Sequence, residues 1–83
     1  MRIRKNVSIT ETDFGAVLLD QLTGEYWQLN TTATLVLNTL LGGSTEEEAV
    51  DAVLAEYDTD REQATRDVHA LLEHLRLSGL VTA

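Results

Sequence analysis

His69 and His74 are the side chains best suited to metal binding or proton transfer in this 83-residue chain, and they stand five positions apart. On a helix that spacing turns them to different faces. Two helical zinc ligands stand three or four apart, and no third ligand accompanies this pair. Glu46-Glu47-Glu48 sets three carboxylates in a row, but consecutive helical residues splay over a wide arc, and a helix start attracts negative charge anyway. The chain has no cysteine, which excludes disulfides, thiolate metal sites and cysteine nucleophiles. It also has no glycine-rich phosphate loop, nucleophile elbow or paired acid/base spacing. The expectation is a protein with no catalytic residues, no metal and no cofactor.

Charge narrows the partners. Lys and Arg number 6 against 14 Asp and Glu, a net charge of −8. Three of the cations are Arg2, Arg4 and Lys5, and none falls between Asn6 and Asp60. The others, Arg61, Arg66 and Arg76, have Glu62, Asp67 and Glu73 for neighbours. A phosphate-binding surface needs clustered cations, so nucleic acid is not an expected partner. The longest apolar run is far short of a membrane span, and no apolar signal-peptide core follows the N-terminal cations. A cytoplasmic location and no membrane partner are expected. Asn6-Val7-Ser8 and Asn30-Thr31-Thr32 match the glycosylation triplet without the export that would use it.

A chain of 83 residues buries only about 60% of its unfolded surface, enough for one modest core. One domain spanning residues 1–83 is expected. Ile3, Lys5, Val7 and Ile9 alternate with polar residues and predict a half-buried strand over about 3–10. Asp13-Phe14-Gly15 turns the chain into a second strand, about 15–20, built on Ala16-Val17-Leu18-Leu19. Gln21-Leu22-Thr23-Gly24 turns it again, Gly24 being free to take a positive φ. The third strand, about 25–29, carries the β-favouring pair Tyr26 and Trp27.

Helices follow. Asn30 is a good N-cap for a helix over about 31–41, with Ala33, Val36, Leu37, Leu40 and Leu41 on one stripe. Thr45 through Glu48 reads as a capping box for a helix over 45–56. Asp60 and Gln63 can cap a third, 61–78, carrying Ala64, Val68, Leu71, Leu72 and Leu75. Leu80-Val81 can fold back on its last turn. Segregated strands and helices predict an α+β fold, a three-stranded antiparallel sheet followed by three helices. The acidic composition invites comparison with acyl carrier proteins, but those are all-helical, and Ser8, Ser44 and Ser78 lack the Asp-Ser-Leu context of their attachment site.

With chemistry set aside, surface shape remains. In a meander the first and third strands are edges, and the third carries half of the four aromatic residues in the chain. Trp27 and Leu29 suit a core plug, whereas the strand's free backbone edge suits an added peptide strand. Projected at 100° per residue, the stripe Ala64, Val68, Leu71 and Leu75 centres the third helix on the core. Leu72, Thr65 and Arg76 fall on one shoulder. Asp67, Ala70, His74 and Leu77 form the other, which stays partly apolar and could wall a groove, with the small Ala70 as its floor.

Leu19-Asp20 and Thr23-Gly24-Glu25-Tyr26-Trp27-Gln28-Leu29-Asn30, with Thr45-Glu46-Glu47, Tyr57-Asp58, Asp67-Val68, Leu71-Leu72 and Leu77-Ser78-Gly79-Leu80-Val81, together resemble the motif run of PqqD-like proteins. These are the precursor-peptide recognition elements of ribosomally synthesised, modified peptides. The resemblance implies a sheet and three helices in a winged helix-turn-helix arrangement. It implies a leader peptide added as a fourth strand beside Glu25, Tyr26, Trp27, Gln28 and Leu29, against a wall of Asp67, Leu71, His74 and Leu75. It implies that the chain presents its precursor to a separate maturation enzyme. In the lasso-peptide pathways that the acidic composition and the Tyr26-Trp27 strand favour, that enzyme is a leader peptidase. The alternatives are a peptide chaperone of pyrroloquinoline quinone biosynthesis and, from the shared architecture, a winged-helix DNA binder.

Overall fold

A computed structural model describes residues 1–82. Its elements run β1 (Arg2–Ile3), β2 (Val7–Thr12), β3 (Gly15–Asp20), β4 (Tyr26–Leu29), α1 (Thr31–Leu41), α2 (Glu46–Glu56), α3 (Arg61–Leu77) and β5 (Val81–Thr82). β2, β3 and β4 form an antiparallel sheet in chain order. The three helices follow it, and the fold is α+β.

The first expected strand is two. Val7 is the earliest residue of β2 with a partner in the sheet, opposite Asp20, where β3 ends. A turn in which the Val7 N–H donates to the Arg4 carbonyl (3.0 Å) breaks the chain before it. Lys5 therefore lies in a turn rather than on the strand. Arg2 and Ile3 pair instead with Thr82 and Val81, so the Leu80-Val81 segment returns to the N-terminus as β5. At its other end β2 runs on to Thr12, because Thr12 still faces Gly15 across the tight Asp13-Phe14 turn. Glu25 lies just before β4: its carbonyl accepts from the Asp20 N–H (2.8 Å), but its own N–H goes to Thr23 Oγ1 (3.1 Å).

Local chemistry sets the helix starts. Asn30 Oδ1 accepts from the Ala33 N–H (2.8 Å), and Asp60 Oδ1 from the Gln63 N–H (2.8 Å). Thr45 and Glu48 exchange side-chain and backbone bonds as a complete capping box. Each cap satisfies N–H groups that the helix itself leaves free.

Two apolar clusters form the core. One lies among the helices and includes Val36, Leu40, Val50, Val53, Val68 and Leu72. The other joins sheet to helices through Val7, Leu18, Leu37, Leu75, Leu80 and Val81, with Trp27 and Leu29 packed on it. Leu71 touches both.

One carboxylate holds the turn that aims β4. Asp20 Oδ1 accepts from Asn6 Nδ2 (3.0 Å) and from the N–H groups of Leu22 (2.9 Å) and Thr23 (3.3 Å). The Asn6 bond, then the Leu22 bond, holds the Asp20 carboxyl below the ordinary carboxylate range. A folded-state pKa below the unfolded one adds stability that is complete above the unfolded value and is lost as pH falls through the folded one. Asp20→Asn keeps an oxygen acceptor for the turn but cannot titrate. Melting temperature should therefore fall less steeply with acidification below about pH 4 in this variant than in the parent. Equal slopes would show that Asp20 does not couple to folding.

Candidate functional site

β4 pairs with β3 alone, through Leu19↔Tyr26, Leu18↔Trp27, Val17↔Gln28 and Ala16↔Leu29. Antiparallel ladders alternate hydrogen-bonded and non-bonded pairs. The bond from Asp20 to Glu25 fixes the phase: Trp27 and Leu29 bond to β3, while the N–H and C=O groups of Tyr26 and Gln28 point to the open edge. Side chains alternate as well. Trp27 and Leu29 turn inward onto the sheet–helix cluster, each half-buried, whereas Tyr26 and Gln28 are exposed on the outer face. The two readings of this strand are both correct for different atoms. The side chains of Trp27 and Leu29 plug the core, and the backbone of Tyr26 and Gln28 supplies an edge.

Beyond Leu29 the chain enters α1 through Asn30, and there a cleft of about 410 Å³ opens between α1 and α3. Asn30, Ala33 and Val36 line one side, and Asp67, Ala70 and Leu71 the other. The floor is aliphatic and the rim carries one carboxylate, held by a bond from Gln63 Nε2 to Asp67 Oδ1 (2.8 Å). Small residues at Ala33 and Ala70 leave the space open.

The expected helix wall is thus partly redrawn. Asp67, Ala70 and Leu71 meet at the cleft. His74 lies exposed one turn further along α3 and does not line it. Leu75 is wholly buried in the sheet–helix cluster, so it supports the wall from behind. Leu72, expected on a polar shoulder, is buried, while Leu71, expected at the centre of the stripe, is only half-buried. The cause is α2, which packs along that flank of α3 and covers Leu72. Leu71 is left at the lip of the cleft. The α1 side of the cleft was missed from sequence. Its available signal was adjacency: a helix capped by the residue after an edge strand must place its first turn at the strand's end.

Among the described residues no helix is long and apolar enough to cross a membrane, and no group of three His, Asp or Glu is arranged to hold a metal ion. What the site presents is two pairs of free backbone groups leading into an apolar cleft. That arrangement suits an extended peptide.

Residues 15–81 match the family model of coenzyme PQQ synthesis protein D (PqqD). Two solved structures are similar over nearly their full length. One is a lasso peptide synthetase B1 complexed with the leader peptide, 40% identical, with a TM-score of 0.90 over 99% of this chain and 96% of that one. The other is TbiB1 in complex with the TbiA(β) leader peptide, 35% identical, with a TM-score of 0.85 over 96% and 93%. No curated protein matches the sequence.

Proposed function

The chain belongs to the PqqD family, and from that premise we propose that it binds the leader segment of a ribosomally made precursor and presents it to a separate maturation enzyme. It works without catalytic residues, in the cytoplasm, in a lasso-peptide pathway where the enzyme is a leader peptidase. The leader adds as a fourth strand to β4, bonding to Tyr26 and Gln28, and places an apolar side chain in the cleft between Ala33 and Leu71. The carrying observation is the unpaired β4 edge running into that cleft. Backbone bonds supply affinity whatever the leader's sequence, and the cleft supplies selection. The leader-bound relatives, similar over nearly the whole chain, support the lasso assignment over quinone biosynthesis. The DNA-binding alternative lacks cations: every strand of the sheet and the first two helices fall within the span free of Lys and Arg.

One titration tests this. With a cognate lasso leader, amide exchange should slow at Tyr26 and Gln28 and change little at Trp27 and Leu29, which already bond to β3. Replacing the leader's aromatic or proline anchor with alanine should weaken binding about tenfold or more, since burying one such side chain stabilises by roughly 1.5–3 kcal/mol. Replacing its charged residues should cost less, because exposed ion pairs contribute about 0–1 kcal/mol. Protection confined to α2, or charge replacements that outweigh the anchor at high salt, would sink the groove.

A further inference from the structure

We propose that the open face of the β2–β3–β4 sheet is the docking surface for the maturation enzyme, and that the enzyme meets it with an apolar patch bordered by Lys and Arg. The inference rests on the leader-binding reading above and assigns that reading's second partner to a surface.

The residues come from the register. With Leu18 and Ala16 buried inward, Val17 and Leu19 of β3 face out, flanked by Tyr26 and Gln28 on β4 and by Ser8 and Thr10 on β2. Leu19 and Tyr26 are directly opposite each other, and 38% and 65% exposed. Phe14, 86% exposed at the β2–β3 turn, shares a shallow hollow with Val17 and Gln28. Of six exposed large apolar side chains among the described residues, four (Phe14, Leu19, Leu22 and Tyr26) belong to this sheet and its turns. The leader edge does not need them, since it uses backbone groups and the opposite face. Apolar side chains gathered on one face of a small protein mark an interaction surface.

Charge selects the occupant. The sheet and its turns carry Glu11, Asp13, Asp20 and Glu25 and no cation. A second copy packed face to face would set Asp13 and Glu25 against their own counterparts with nothing in either sheet to offset them. A partner whose apolar patch is rimmed by cations meets the same border favourably, and it is steered to it at low salt. Continuity with the leader edge points the same way. A strand added to β4 has period two, so alternate leader side chains would emerge on this face beside Tyr26 and Gln28. The enzyme would then read leader and carrier as one surface. It would bind the loaded chain more tightly than the empty one, and by reciprocity would tighten leader binding by the same factor.

The test compares the parent with a Phe14→Ser/Leu19→Thr variant, whose two positions lie outside the proposed leader site. Binding to a cognate leader and to the purified leader peptidase encoded with that precursor is measured separately. The variant should keep leader affinity within about twofold and lose at least about tenfold in affinity for the peptidase, measured on leader-loaded protein. Asp13→Lys, a single exposed turn substitution, is the second probe and should slow association with the peptidase most at low salt. Unchanged peptidase binding in both variants overturns the proposal. So does a parent dimer on ultracentrifugation that the double variant abolishes, which would assign the face to a second copy. A parent that fails to bind the leader refutes the proposed function instead, and a peptidase contact still lost in the variants would then support the face by itself.

Discussion

Gln28→Pro is expected to leave the fold intact and to weaken leader binding by about a hundredfold. The Gln28 N–H is one of the two in β4 that point away from β3, so proline removes no bond of the existing sheet. Proline is tolerated in an edge strand with its nitrogen facing outward, and it holds the preceding residue, Trp27, in the extended conformation that it already has. An incoming strand loses one hydrogen bond and meets the ring where its carbonyl should sit, which also disturbs the neighbouring bonds at Tyr26. Together these amount to roughly 3 kcal/mol, or about two powers of ten in affinity. Calorimetric titration with the leader, beside thermal melts, measures both halves. Trp27→Pro is the contrasting substitution: it removes a bond to β3 and should destabilise the sheet itself. Undiminished leader binding by Gln28→Pro would rule out strand addition at β4.

Gly15→Ala should be the most destabilising small substitution in the chain. Gly15 is buried with φ near +140°, a region that side chains other than hydrogen rarely enter. A β-carbon there would press into the Leu29 carbonyl oxygen and lie 2.9 Å from the Leu29 and Asn30 carbonyl carbons. Those are main-chain atoms at the end of β4, anchored by the Asn30 cap of α1, and they cannot swing aside as a side chain can. Backbone strain costs about 1–3 kcal/mol, and the collision adds to it. A chain of this length holds only roughly 4–12 kcal/mol in all. A loss of about 3 kcal/mol or more, or some 12–24 °C in melting temperature, is expected. Gly24→Ala supplies the control. Gly24 also has a positive φ, +78°, but nothing lies within 4 Å of the added carbon. Equal losses in the two variants would show that the close approach of β3 to Leu29 does not govern stability.

Much of this protein was legible in the sequence because it depends on neighbours a few residues apart. The caps at Asn30, Thr45 and Asp60 are bonds across three residues, so they follow from local residue type. The three helical spans follow from apolar period, and the two hairpins from turn residues beside alternating strands. Those features were enough to place an edge at Tyr26–Leu29. What remained hidden depends on residues far apart in the chain. Arg2 pairs with Thr82, and no local pattern reveals that the first strand breaks at Lys5 to make that pairing. Helical projection treats both flanks of α3 alike, and only the packing of α2 decides that Leu72 is covered and Leu71 left at the cleft. The α1 side of that cleft, Ala33 and Val36, reads as plain core stripe until the helices are in place. Most consequential is the phase of the β4 ladder. Which amides are spent and which are free is set by the register against β3, and thus by the Asp20 turn. Alternation of side chains marks the faces of a strand, but its hydrogen-bonding edges are defined only once a partner strand has taken one of them.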